Sequence, residues 1–314
     1  MATILITGGA GFIGSNLCAK LLQLGHKVIC LDSLITGKKE NIQLFSGNKN
    51  FQFILSDIVK PIPISKLKFK KIEQIYNLAS PASPVDYQER PLETLLSGSA
   101  GVQNLLELAK KNKARFLQSS TSEVYGDPLV HPQRESYFGN VNCYGPRACY
   151  DESKRFGEAL IYTYRRKYKV NTAIVRIFNT FGEKMRPDDG RVVSNFIVQA
   201  LQNKPLTIYG DGHQTRSFCY IDDMVEGLVK MMESAEEGPI NLGNPQEFKI
   251  IDLAQKILKL TGSKSKLIYK PLPKDDPKQR KPDITLAKTK LNWQPKISLD
   301  EGLKKTIEWF KSLH

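Results

Sequence analysis

Short apolar runs alternate with amphipathic stretches through the first 180 residues. The runs at 3–7, 27–32, 51–56, 72–78, 115–119 and 172–178 have the length of strands. Between them, 12–24, 92–111 and 150–168 repeat apolar residues at helical spacing. Strands separated by helices require crossover connections and therefore a parallel sheet. These strands read as near-continuous apolar runs, as they do when helices cover both faces. The pattern predicts an α/β fold: a Rossmann-type doubly wound parallel sheet over residues 1–178.

After residue 180 the alternation loosens. Residues 191–203, 250–261 and 299–313 are helical in period, whereas 269–282 (YKPLPKDDPKQRKP) holds too many prolines for a helix. Residues 179–314 read as a smaller, C-terminal substrate-binding domain, with 214–237 returning to the first. A ligand cleft is expected between the two.

Composition narrows the class. The 314 residues can bury a full core without disulfides. The five cysteines form no CxxC pair, and they and the four histidines lack metal-ligand spacing. Reduced thiols in the cytoplasm are expected, with no metal. No apolar stretch reaches 18 residues, so no membrane span is expected. The fold pattern begins at Thr3, so no signal peptide is expected. The net charge of +14 favours anionic ligands. Its lysines and arginines are spread in separate groups, such as Lys66, Lys68, Lys70 and Lys71, that read as solvated faces.

The first strand runs into Gly8-Gly9-Ala10-Gly11-Phe12-Ile13-Gly14. Glycines between a strand and a helix allow the tight turn, let backbone approach a pyrophosphate and present the helix N-terminus to it. Asp32 ends the second strand, 18 residues past Gly14. Its carboxylate suits a ribose diol and repels a 2′-phosphate, which points to NAD. Farther on, Tyr150 and Lys154 stand four apart on one helix face. An ammonium beside a phenol is expected to lower the tyrosine pKa toward that of a general base. The cluster Ser119, Ser120, Thr121, Ser122 at a strand end offers a hydroxyl to the same substrate oxygen.

Glycine loop, acid, hydroxyl and YxxxK together resemble the extended short-chain dehydrogenase/reductase superfamily. Within it, NLASPASP (77–84), STSEVYGDPLVHP (120–132), YGPRACYDESK (144–154), RIFNTFG (176–182), GRVVSNFIVQAL (190–201) and DDPKQRKPD (275–283) resemble the UDP-glucuronic acid decarboxylases over essentially the whole chain. The resemblance implies a carboxy-lyase in nucleotide-sugar metabolism. UDP-glucuronate is oxidised at C4, loses CO₂ and is reduced again to UDP-xylose. It implies catalytic roles for Thr121, Ser122, Glu123, Tyr150, Lys154 and Arg280. Glu123 is expected near the sugar carboxylate, partly protonated or holding a water. NAD contacts are implied for Gly8, Gly11, Phe12, Ile13, Gly14, Asp32, Asp57, Ile58, Ala79, Tyr150 and Lys154. UDP-sugar contacts are implied for Pro84, Tyr87, Asn179, Arg191, Tyr209, Arg216 and Arg280. Ser122 stands where dehydratases of the superfamily carry an acid, which argues against dehydration.

The resemblance also implies a homodimer built on the 92–111 and 150–168 helices. No nucleic acid or membrane partner is expected. One departure concerns Gly98-Ser99-Ala100-Gly101, where the family has asparagine in an NTxG or NVxG stretch. Two helical glycines cost about 1 kcal/mol each, and the change is expected to touch catalytic rate. A UDP-sugar or UDP-uronate 4-epimerase shares the tyrosine, lysine and hydroxyl and stays open. So does a non-catalytic NAD-binding regulator or nucleic-acid binder.

Overall fold

The computed structural model describes every residue except Lys70, Lys274, Asp276, Lys278 and His314. The expectations that touch Lys70 and parts of DDPKQRKPD therefore fall partly outside the described residues. Six strands stand close to their expected places: β1 Thr3–Thr7, β2 Lys27–Asp32, β3 Phe51–Leu55, β4 Gln74–Asn77, β5 Arg115–Thr121 and β6 Thr172–Ile177. They form a parallel sheet with a seventh strand, Ile240–Leu242, in the order Ile240–Leu242, β6, β5, β4, β1, β2, β3. The order reverses beside β1, which opens a crevice at the strands' C-terminal ends.

Alternate side chains feed two cores. Leu5, Ile29, Leu31, Ile75, Phe116 and Ile174 pack with Val102, Leu105, Leu106 and Ile161 on one face. Ile4, Ile6, Val28, Cys30, Leu117 and Val175 pack with Leu17, Leu21, Met224 and Leu228 on the other. This period of two explains why the strands read as unbroken apolar runs.

Three helices position the site. Phe12–Gln23 follows the glycine loop. Ala148–Tyr168 buries Tyr150, Lys154, Gly157, Ile161 and Tyr164 along one face. The stretch expected at 92–111 is Pro91–Leu96, a π turn at Ser97–Gly101, and Val102–Asn112. The π turn falls on the unusual Gly-Ser-Ala-Gly. Gly98 lies against the Ala148–Tyr168 helix: a Cβ there would be 2.6 Å from Ser153 Cβ and 2.7 Å from its carbonyl oxygen. Close approach of two helices, not mere tolerance, accounts for that glycine.

Beyond the large sheet, Thr215–Ser217 pairs antiparallel with Glu247–Lys249 and parallel with Gln279–Arg280. Leu206–Tyr209 pairs with Leu267–Lys270.

Candidate active site

One cavity of about 640 Å³ lies over the C-terminal ends of the strands. Gly8, Gly11, Phe12, Ile13, Gly14, Asp32, Asp57, Ile58 and Ala79 line it, as do Thr121, Ser122, Glu123, Tyr150 and Lys154. Pro84, Tyr87, Asn179, Arg191, Tyr209, Arg216 and Arg280 complete its wall. The residues expected from the sequence to touch cofactor, substrate or reacting atoms thus line one cavity.

The glycine loop is a fitted cradle. A Cβ on Gly14 would lie 2.1 Å from the Gly8 oxygen, and one on Gly8, whose φ is +69°, would meet the Leu78 carbonyl carbon at 2.7 Å. The helix that follows has no side-chain cap and no acid in its first turn. Its uncapped N–H groups therefore face the cavity, which suits a diphosphate. Asp32 is 7% exposed, and its two oxygens accept from Ala10 N at 2.9 Å and Leu34 N at 2.8 Å. Burial pushes its carboxyl up, and those two donors offset part of the rise. Each oxygen keeps a lone pair, so the carboxylate that holds the turn can also accept from a ribose diol. These residues fit a dinucleotide.

Thr121 ends β5 and lines the cavity with Tyr150; its Oγ1 accepts from the Glu123 N–H at 3.2 Å. The expected lowering of the tyrosine by Lys154 is not what this geometry gives. Burial pushes Tyr150 up to about 12; the Arg191 charge, then the Thr121 hydroxyl, oppose the rise. Lys154 Nζ sits 5.5 Å from the Tyr150 ring centroid and donates to the Ser119 carbonyl at 3.1 Å. Burial brings its own pKa down to about 8, so the ammonium remains charged at neutral pH.

Glu123 also departs from expectation. Two guanidinium groups meet its carboxylate. Arg280 Nη2 bonds its Oε2 at 2.8 Å, Arg280 Nη1 bonds its Oε1, and Arg147 Nη2 bonds Oε2 at 2.5 Å. Burial alone would raise this carboxyl, but the two guanidinium groups hold it well below the usual carboxylate range. Arg280 itself is 4% exposed. Buried cations of this kind suit planar anions.

Sequence reasoning gave no role to Arg147 or Arg186. Arg147 stands three residues before Tyr150, whose N–H donates to the Arg147 carbonyl at 3.0 Å. That spacing was its one available signal. Arg186 bonds the Thr36 carbonyl at 3.2 Å and both Asp86 oxygens at 2.9 and 3.1 Å. It ties the loop after β2 to the Pro84–Glu89 helix across the cavity wall. Arg191 donates to the Ala82 carbonyl at 2.7 Å and pairs with Asp189 at 3.4 Å. Arg216 donates to the Thr215 carbonyl at 2.9 Å.

Comparison with known proteins gives this geometry a context. The sequence model of the NAD dependent epimerase/dehydratase family matches residues 4–243. The chain is 52% identical to UDP-glucuronic acid decarboxylase 1 of Danio rerio, over 98% of this chain and 72% of that protein. It is 50% identical to UDP-glucuronic acid decarboxylase 1 of Arabidopsis thaliana, over 98% and 70%. Among solved structures, a Bacillus cereus UDP-glucuronic acid 4-epimerase in complex with UDP-glucuronic acid and NAD superposes with a TM-score of 0.90. It is 34% identical and covers 99% of this chain and 100% of its own.

Proposed function

The chain belongs to the NAD dependent epimerase/dehydratase family, and from that premise we propose that it decarboxylates UDP-glucuronate to UDP-xylose with NAD as a resident cofactor. The single observation that carries the reading is the half-buried Glu123 carboxylate gripped by Arg147 and Arg280 in the same cavity as Thr121, Tyr150 and Lys154. Identity near 50% to decarboxylases over almost the whole chain supports it.

NAD would lie on the Gly8–Gly14 loop and Asp32, and it supplies a reversible hydride acceptor for the C4 carbon. The chain's own residues do the rest. Tyr150 would take the proton from the C4 hydroxyl once the positive charges of NAD⁺ and the Lys154 ammonium hold it as a phenolate, with Thr121 holding the same oxygen. A C4 ketone makes the C5 carboxylate that of a β-keto acid, which loses CO₂ because the electron pair enters an enolate. Arg280 and Arg147 favour that negative charge, and Glu123 holds both guanidinium groups in place. Arg191, Arg216 and Asn179 are assigned to the diphosphate and sugar, Tyr209, Pro84 and Tyr87 to the rest of the UDP-sugar. Ser122 assists Glu123. Asp57, Ile58 and Ala79 flank the cofactor.

A 4-epimerase is the second reading, favoured by the superposition on the Bacillus cereus enzyme. Mass spectrometry of UDP-glucuronate incubated with the protein and NAD separates the two. A product lighter by one CO₂ supports decarboxylation; unchanged mass with a new hexuronate refutes it in favour of epimerisation.

The reading includes a homodimer through the Pro91–Asn112 and Ala148–Tyr168 helices. Leu92, Leu95, Leu96, Phe156 and Tyr162 are exposed on them, and light scattering showing only monomer refutes it. Among the described residues, no helix is long and apolar enough to cross a membrane. A cytoplasmic location is proposed with five free cysteines in support, and cell fractionation tests it.

A further inference from the structure

Asp151 has no part in the chemistry above, yet it follows Tyr150 in the first turn of the same helix. It is 5% exposed, and its Oδ1 is enclosed with no hydrogen-bond partner among the described residues. The hydroxyl of Tyr87, whose ring stacks on Tyr150 with centroids 5.0 Å apart, is likewise enclosed without a partner. An ionised carboxylate here would leave Oδ1 with neither water nor a donor, which the neutral acid, able to place its proton there, avoids. The charged groups that act on it come from three sides. Glu123 and, on its own helix, Glu152 oppose an anion; Arg147 and Arg280 favour one, but both are already engaged by Glu123. Burial and then Glu123 dominate, and the carboxyl is pushed up to about 7.

Resting on the decarboxylase reading, we propose that Asp151 is a positioning residue that enters the reaction as a neutral acid, leaves Arg147 and Arg280 to the sugar carboxylate, and becomes the replacing anion when CO₂ departs. The balance of the reaction asks for such a group. The bond between C5 and the carboxylate carbon breaks, its electron pair stays on C5, and CO₂ leaves uncharged. C5 then takes one proton. The site has lost one negative charge and consumed one proton. Ionisation of Asp151 releases one proton and restores one negative charge within the same cluster, and solvent reloads it before the next turnover. Asp151 does not line the cavity itself; it stands behind Tyr150, which does, and its charge is felt there through the Glu123–Arg147–Arg280 cluster.

Three measurements on the full chain test this. Infrared difference spectra between ligand-free wild type and Asp151→Asn read the acid directly. A protonated-carboxyl band that titrates near pH 7 and is missing from the variant is expected. Next, UDP-glucuronate is titrated into the NAD-loaded protein at about pH 8, in buffers of different ionisation heat. Binding should draw up close to one proton in wild type and none in Asp151→Asn, because the arriving carboxylate pushes Asp151 back to its neutral form. UDP, which lacks the carboxylate, should draw up none in either. Finally, wild-type kcat/KM should fall about tenfold per pH unit above the titration, and the variant should lack that limb. An infrared band that survives the substitution, or equal proton uptake by both proteins, overturns the assignment. Should the variant fail to fold, absence of the band or of uptake in wild type alone overturns it. Intact infrared and uptake results without CO₂ release would instead sink the decarboxylase reading.

Discussion

Replacing Gly98 with asparagine, the residue usual in the family, is the sharpest test of how the catalytic helix is held. A Cβ at 98 would lie 2.6 Å from Ser153 Cβ and 2.7 Å from the Ser153 oxygen, against about 3.5–4.0 Å for an unstrained contact. The two helices must therefore part by about 1 Å, and overpacking of that kind costs about 1–3 kcal/mol. Asparagine recovers only a few tenths of a kcal/mol in helix propensity over glycine, whereas alanine recovers about 1 kcal/mol. Gly98→Asn should thus lose about 2 kcal/mol, and Gly98→Ala about 1 kcal/mol. Unfolding entropy near 2.1 cal/mol/K per residue makes 1 kcal/mol worth about 1.5 °C for a chain of this length. Calorimetry should show Tm lower by about 3 °C for asparagine. Turnover should fall, because the displaced helix carries Tyr150 and Lys154. Ser153→Gly in the same chain removes the nearest atom and should restore part of both. If Gly98→Ala raises Tm by the full propensity gain, or if Ser153→Gly rescues nothing, the contact does not set the helix spacing.

Gly14→Ala should weaken NAD binding by tenfold or more, since its methyl would lie 2.1 Å from the Gly8 oxygen; fluorescence titration with the cofactor reads this. Tyr150→Phe should cut turnover by about 10²–10⁴-fold with NAD affinity unchanged, and equal losses in both would move the tyrosine out of its proposed role. Glu123→Gln leaves two guanidinium groups short of their anion, so chemical denaturation should show a loss of about 3–5 kcal/mol. Glu123 has a depressed folded pKa, so its contribution is present above the ordinary carboxylate pKa and is lost as pH falls toward the folded value. The difference between wild type and variant should therefore shrink in acid, and a constant difference would contradict the ion pairs. Asp32→Ala should loosen the turn held at Ala10 and Leu34 and narrow the preference for NAD over NADP, measured as the ratio of their dissociation constants.

The parallel sheet was legible because period and run length are local properties. Strands β1 and β2 fall on their expected residues. The strand Ile240–Leu242 escaped because three residues carry no period; only its pairing with β6 makes it a strand. The cavity's membership was legible through spacing and resemblance. Its electrostatics were not. Glu123 meets Arg280 across 157 residues of chain, and nothing near Glu123 in sequence announces that a cation will neutralise it. The same holds for Lys154, whose nearest polar partner is a backbone carbonyl rather than the phenol. YxxxK fixes a common helix face, but the direction of an ammonium on that face depends on the strand beneath it. The glycines at 98–101 show the reverse failure. Helix propensity marks them as a local defect, while the reason for Gly98 lies on another helix and that for Gly101 on the Ile58 side chain.

Arg216 and Arg280 are register partners on adjacent parallel strands. Residues so paired present their side chains to one side, about 4.8 Å apart at the backbone. On the proposed assignment, one reads the diphosphate and the other the acid. That ribbon is then a ruler. Its graduation is written in main-chain hydrogen bonds, which no side-chain repacking can rescale. A nucleotide sugar is accepted by the span between its two anionic groups as much as by their identity. Changing either arginine alone alters what is grasped, while slipping the ribbon by one residue alters what length of molecule counts as substrate.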